Sequence, residues 1–284
     1  MRLLASTGPM FGRPLDWTLG VIAEAGYDGA ELMVTQDPVT QDADRAGAVA
    51  DAEGLPLPVV HGPFLLLTRR VLGTDPIAKA RRAIGIAAGL GADLMIVHPP
   101  YRWQGGFHRW LSADADHEAA AASTRVGVEN LFPIAVGRRD VRFHRYVRPE
   151  DLEPFPHVVL DTSHLGVAGI DPVAALERLG ERVVHLHVSD HRGGTSDSHA
   201  PLGAGRLPLA RLLARVGERH RSGGAGSITL EVDCRPHLDD RARLVGFLAG
   251  QRRKAEALLG GASAEDVLGR PDVVPGDRRT SRGG

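Results

Sequence analysis

The sequence predicts a single closed (β/α)8 barrel, an α/β fold, and three observations carry that reading. Eight short β-prone runs begin near Leu3, Ala30, Leu57, Leu94, Val126, Val158, Val183 and Ile228, and stretches of helical periodicity lie between them. Most of these runs are apolar on both faces, as strands of a parallel sheet under a helical layer are. The third observation is where the polar residues fall. PLPVVHGP ends on His61, DLMIVHPP on His98, RVGVEN on Glu129, and HVVLDTSH on Asp161 and His164. VVHLHVSD ends on His187 and SITLEVD on Glu231, while Asp197 and His199 sit in DSHAPLGAG. Side chains so placed converge only if the strands are parallel and share a rim. An open doubly wound sheet would gather its site at one switch point and leave most strand ends unused.

The elements follow in order. After the first run, LDWTLGVIAEAGY spaces its apolar residues for one helix face, and Gly26 closes it. DPIAKARRAIGIAAGLG starts on Asp75 and Pro76, a cap followed by proline at the first helical position, and ends on Gly89 and Gly91. DPVAALERLGE repeats that start at Asp171 and Pro172, and LPLARLLARVGERH follows the seventh run. After about Gly260 the segment GGASAEDVLGRPDVVPGDRRTSRGG is rich in glycine, proline, arginine and aspartate and shows no apolar face. The expected organisation is therefore a barrel over 1–259 and a flexible tail over 260–284.

Composition narrows the function classes. With 284 residues, 43% of them apolar, the chain can bury a large single core. A net charge of -1 leaves no general electrostatic footprint for nucleic acid. The single cysteine, Cys234, excludes an internal disulfide framework and fits a reducing compartment. The N-terminal MRLLASTGPMFG has no signal-like apolar stretch, and no run approaches a membrane span. A soluble cytoplasmic protein acting on a small molecule, with no membrane partner, is the expectation. Lys79 and Lys254 are the only lysines, and both fall on predicted helices away from the mouth, which argues against Schiff-base chemistry.

A lone histidine at a strand end is commonly a hydrogen-bonded rim residue. Carboxylates ending buried strands are harder to dismiss, because an ionised group there needs a partner. Glu129, Asp161 and Glu231 would repel one another without a cation between them, and His187 lies beside them; a divalent metal resolves that repulsion. Mixed nitrogen and oxygen donors without thiolates suit zinc or manganese in an open site. His185 alternates onto the face of His187 and is a candidate neighbour or layer residue. His108, His117, His144, His157, His220 and His237 fall in helices, loops or strand starts and are read as structural.

The segments VENLFP, LDTSHLGVAG, HLHVSD, DSHAPLGAG and TLEVD resemble those of the xylose isomerase-like TIM barrels, from Arg2 to about Leu259. That family includes sugar phosphate isomerases and epimerases, and endonuclease IV of AP endonuclease family 2. For the sugar enzymes the resemblance implies one divalent metal held by Glu129, Asp161, His187 and Glu231. For the endonucleases it implies three zinc ions, with His61, His98, His164, Asp197 and His199 as further ligands. In the first case the resemblance nominates Glu129 and Glu231 to move the proton of a carbon acid next to a carbonyl. His164 would bind a substrate oxygen, His61, His98 and Trp103 would line the substrate site, and Arg192 would neutralise developing charge. In the second, a metal cluster would generate hydroxide and clamp a phosphodiester; a metal-dependent dehydratase or lyase is a further reading on the same barrel.

The loops favour a small substrate. Endonuclease-like members carry a basic and aromatic loop after the second strand, whereas VTQDPVTQDAD stands here and would repel phosphates. HPPYRWQGGFHRWL gathers Tyr101, Trp103, Phe107 and Trp110 with Arg102 and Arg109, the composition of a lid over a small ligand or of a single-strand groove. Arg138, Arg139, Arg142, Arg145 and Arg148 crowd one loop, read as a solvated surface, an anionic subsite or a subunit contact. ENLFPIAVG lacks the second acid that ketose 3-epimerases carry after the first metal glutamate, which argues against free ketoses. The glycines of PLGAGRLPL could cradle a phosphate or simply end a loop.

Overall fold

A computed structural model describes residues 1–63, 71–136, 139–224, 226–270 and 272. The strands are β1 (Arg2–Ser6), β2 (Gly29–Met33), β3 (Val59–His61), β4 (Leu94–Val97), β5 (Val126–Glu129), β6 (Ile134–Val136), β7 (Arg139–Val141), β8 (Val158–Asp161), β9 (Val183–Val188) and β10 (Ser227–Leu230). Eight of them are parallel and close in the order β1-β2-β3-β4-β5-β8-β9-β10, while β6 and β7 form a separate antiparallel hairpin at the mouth. The predicted barrel is thus the observed one. The third strand starts at Val59 rather than Leu57, because Pro56 and Pro58 have no N–H to give to the ladder.

The helices are α1 (Leu15–Glu24), α2 (Ala43–Glu53), α3 (Pro76–Gly89), α4 (Gly105–Ala113), α5 (Ala115–Ala121), α6 (Pro149–Leu152), α7 (Thr162–Val167), α8 (Pro172–Leu179), α9 (Leu209–Arg221), α10 (Arg241–Leu259) and α11 (Ala264–Leu268). Asp75 and Asp171 cap α3 and α8, as their placement before proline predicted, by accepting from the Ala78 and Val173 amides. Among the described residues no helix is long and apolar enough to cross a membrane.

Apolar packing is divided. The main core lies between sheet and helices, whereas Leu4, Val59, Leu94, Ile96 and Val159 form a small plug inside the barrel near the strand starts. On β9, Leu186 and Val188 join the outer core while His185 and His187 point inward. Val158 faces Val183 and Val159 faces His185, so Val184 is an extra residue that sets this alternation. Above the plug the barrel interior is polar. That layer is the floor of the site.

The segment expected as a tail begins as folded structure. Ser263 caps α11 through the Asp266 amide, Leu268 is buried, and Arg270 pairs with Asp190 at 2.7 Å. Asp272 accepts from the Arg211 amide at 2.7 Å, and residues 273–284 lie outside the described ones. The short α11 shows too little periodicity for sequence patterning to detect.

One surface contact has a pH signature. Arg81 grips Glu118 through bonds of 2.8 and 2.6 Å, and Trp110 Nε1 donates to the same carboxylate at 3.0 Å. The Arg81 bonds, with burial opposing and Trp110 assisting, bring the Glu118 carboxyl down to about 2. A depressed carboxyl stabilises the fold above its ordinary value and loses that contribution as pH falls through the depressed one. Solvent screening limits the effect here to about 0.5 kcal/mol. Glu118→Gln should cost about that much in urea unfolding near neutral pH and progressively less towards about pH 3. A cost that does not change with pH would show that shape rather than charge is at work.

Candidate metal centre and its cavity

The strand-end side chains predicted from sequence meet in one connected network. Glu129, at the end of β5, is surrounded by His61 at 3.2 Å, His98 at 3.1 Å, His164 at 3.3 Å and His187 at 3.3 Å. His187 Nδ1 also faces Glu231 at 3.3 Å and Asp161 at 3.8 Å. On the outer side, Asp197 lies 3.4 Å from His164 and 2.6 Å from His199. The chain brings these groups together because parallel strands end on a common rim, and because α7 starts directly on Asp161. Asp161 Oδ1 accepts the His164 amide at 2.8 Å as an N-cap, which turns the His164 ring towards Glu129.

The two glutamates have opposite electrostatic surroundings. Burial opposes charge on Glu129, yet His98, His187 and His164 hold its carboxyl well below the usual range. Burial pushes Glu231 up, Asp161 and Glu31 add to this, and His199 and His187 offset only part. Burial drives His98 down to about 4 despite Glu129, whereas His187 and His164 overcome burial through their carboxylate neighbours and are raised. His199, against burial, is raised to about 9, chiefly by its bond to Asp197. Its backbone takes a φ of 35°, uncommon for a residue with a Cβ, and its Nδ1–H donates to the Glu231 carbonyl at 3.1 Å.

Sequence patterning missed Glu31. This fully buried residue of β2 accepts from His187 Nε2 at 3.0 Å, His185 Nε2 at 3.2 Å and Thr229 Oγ1 at 2.8 Å, all on Oε2. It was invisible because it lies mid-strand in GAELM, where no apolar run ends on it. His185 proves to be a layer residue beneath His187, bonded on its other side to Ser227 at 2.7 Å.

A cavity of about 220 Å³ opens above the network, lined by His61, His98, Glu129, His164, Asp197, His199 and Glu231 on its polar side. Met33, Tyr101, Leu131, Phe132, Ile134 and His144 form its other wall. His144, read from sequence as structural, therefore belongs to the site wall; its ring packs 4.2 Å from Tyr101, and its Nδ1–H donates to the Pro99 carbonyl at 3.1 Å. The aromatic cluster expected as a lid is split. Phe107 and Trp110 turn into the outer core through the amphipathic α4, while Trp103 is 62% exposed and stacks on Tyr101 at 4.7 Å. Trp103 and Arg192, both nominated for substrate, are not among the lining residues, and Arg192 is exposed. Arg138 and the Arg139 side chain lie outside the described residues; Arg145 is tied to the Arg102 carbonyl.

The loop after β9 is pinned from below. Asp190 is fully buried and accepts the amides of Gly203, Gly205 and Leu207 at 3.0–3.1 Å, besides Arg270. The amides that could have cradled a phosphate in PLGAGRLPL are therefore occupied. A Cβ at Gly205 would stand 2.4 Å from Asp190 Oδ1 and from the His191 carbonyl, so only glycine fits there.

The donor set fits a divalent cation. Ligand atoms of Glu129, Asp161 and His187 lie within 4.8 Å of one another, as do those of His61, His98 and Glu129, of Asp161, His164 and His199, and of Glu31, His61 and His187. Asp161 Oδ2 is buried and has no hydrogen-bond partner among the described residues, a cost that a coordinated cation would remove.

Comparison with known proteins agrees with this architecture. A family model described as xylose isomerase-like TIM barrel matches residues 19–250. A protein of uncharacterised function from Mycobacterium leprae is 34% identical over 74% of this chain and 81% of its own length. One from Mycobacterium tuberculosis strain H37Rv is 34% identical over 73% of this chain and 80% of its own. Among solved structures, L-ribulose 3-epimerase superposes with a TM-score of 0.66 at 18% identity, covering 96% of this chain and 99% of that one. The 3-keto-D-glucoside 4-epimerase of E. coli gives 0.65 at 18%, covering 89% and 99%. At those identities the structural likeness is one of fold.

Proposed function

Because the chain belongs to the xylose isomerase-like TIM barrel family, we propose that it is a metal-dependent isomerase or epimerase of a small polyhydroxylated carbonyl compound. The observation that carries this reading is the opposed environment of Glu129 and Glu231, two carboxyls lining one cavity with His187 between them. Pairs of titratable groups pushed apart by their surroundings divide acid–base labour. Glu129, held ionised by histidines, suits taking a proton on one side of the substrate, and Glu231, pushed up by burial, suits holding one on the other, the two-sided exchange that epimerisation needs. Glu129, Asp161, His187 and Glu231 would hold the metal, zinc or manganese. When bound, that ion would polarise the substrate carbonyl. His164 is placed to bind a substrate oxygen, and His61 and His98 border the cavity beside it. Leu131, Phe132 and Ile134 line the cavity beyond Glu129, so the substrate is expected to turn a less polar face to that wall.

A second reading has one specific observation in its favour. The additional donor groupings at His61, His98 and Glu129 and at Asp161, His164 and His199 give capacity for more than one ion, as a zinc phosphodiesterase of the endonuclease IV type requires. Metal analysis of protein purified without chelators separates the two. About one equivalent per chain, with solvent deuterium entering a keto-sugar, supports the isomerase. Two or three equivalents of zinc, with cleavage of an abasic-site duplex, would replace it by the phosphodiesterase.

A further inference from the structure

We infer that Glu31 is a positioning residue that fixes the ring of His187, so that His187 meets a metal through Nδ1. The inference rests on the metal reading above. Two sides of the imidazole compete for the ion, since Glu31, His61 and His187 could themselves group around one, as could Glu129, Asp161 and His187. The hydrogen bonding decides between them. Glu31 Oε2 already takes three donors, His187 Nε2, His185 Nε2 and Thr229 Oγ1, so Nε2 of His187 is engaged as a donor and its Nδ1 is the nitrogen left to meet a cation. Across the ring, Nδ1 is aimed at carboxylates of Glu129, Glu231 and Asp161, and Asp161 Oδ2 has no hydrogen-bond partner among the described residues. A carboxylate on the far nitrogen of a ligand histidine fixes its tautomer and orientation and raises its basicity.

His185 and Thr229 give Glu31 its own fixed position. His185 is anchored in turn by Ser227 at 2.7 Å, and Thr229 pairs with His187 across the β10–β9 ladder. The barrel interior above the plug is therefore a column of polar side chains, where barrels of this class usually stack branched apolar ones. A buried polar column is costly unless each member is satisfied. Its position directly beneath His187 gives it a use.

The test compares wild type with Glu31→Gln, which keeps an acceptor oxygen, and Glu31→Leu, which keeps volume and removes it. Zinc affinity is measured by competition with a chelating dye, and the His187 ring by nitrogen-resolved NMR on histidine-labelled protein, assigned by the signal lost in His187→Asn. In zinc-loaded wild type we expect a protonated, hydrogen-bonded Nε2 and an unprotonated Nδ1. Leu should weaken zinc binding about 10–100-fold and lose the Nε2 proton signal, and Gln should restore most of both. An Nδ1-protonated ring in the zinc form, or Leu binding as tightly as wild type, would overturn the assignment. Should Leu fail to fold, the wild-type and Gln spectra still decide it. If wild type binds no zinc, the metal reading fails; whether the hydrogen-bonded Nε2 proton signal of zinc-free wild type is lost in Glu31→Leu then decides whether Glu31 holds the ring.

Discussion

Glutamine in place of Glu231 is expected to lower turnover about a thousandfold while leaving thermal unfolding unchanged. The side chain lies at the mouth, and its contact with His187 at 3.3 Å joins it to the network without packing it into the core. Glutamine keeps the shape and removes the proton carrier. The assay is entry of solvent deuterium into a panel of ketoses and keto-glycosides, followed by NMR. Retained turnover in the variant would remove Glu231 from the chemistry and leave it as a ligand.

Asp190→Ala is expected to destabilise the protein by about 3–5 kcal/mol, the largest effect on folding of any single change proposed. The substitution leaves the Arg270 guanidinium without its carboxylate, and the amides of Gly203, Gly205 and Leu207 without an acceptor. Urea unfolding measures the cost, and hydrogen exchange at those amides locates it. The same segment carries Asp197 and His199, so a well-folded variant should still lose outer-wall geometry and with it substrate affinity. A cost below about 1 kcal/mol would show that water replaces the carboxylate, and that the loop is held by its backbone bridge between Asp190 and Ala200 instead.

The barrel and the inner donors were legible in the sequence for a common reason. Parallel strands buried on both faces are written as apolar runs, and a polar residue ending such a run stands out, as Glu129, Asp161, His187 and Glu231 do. Glu31 carries equal weight in the structure but falls mid-strand, where its partners come from β9 and β10 and no local pattern signals them. His144 was missed for a different reason. It reaches the cavity by a single antiparallel bridge to Tyr101, from a loop whose course depends on tertiary packing. Trp103 and Arg192 stand outside the cavity lining. Both sit on mouth loops in suggestive company, yet side-chain direction on a loop is set by contacts that composition does not encode.

The pinning of Asp190 by Arg270 bears on where this protein can be cut. The family-model match ends at residue 250 and the composition changes near 260, and either point would pass for a natural edge of the domain. A shortened version ending near 260 would keep every strand of the closed sheet and all nine candidate donors, whereas one ending at 250 would also cut through α10. Either would discard α11 and the guanidinium that anchors the wall bearing Asp197 and His199. Residues beyond the barrel's long C-terminal helix α10 thus act on its mouth, and minimal versions of this protein should be trimmed from the far side of Asp272.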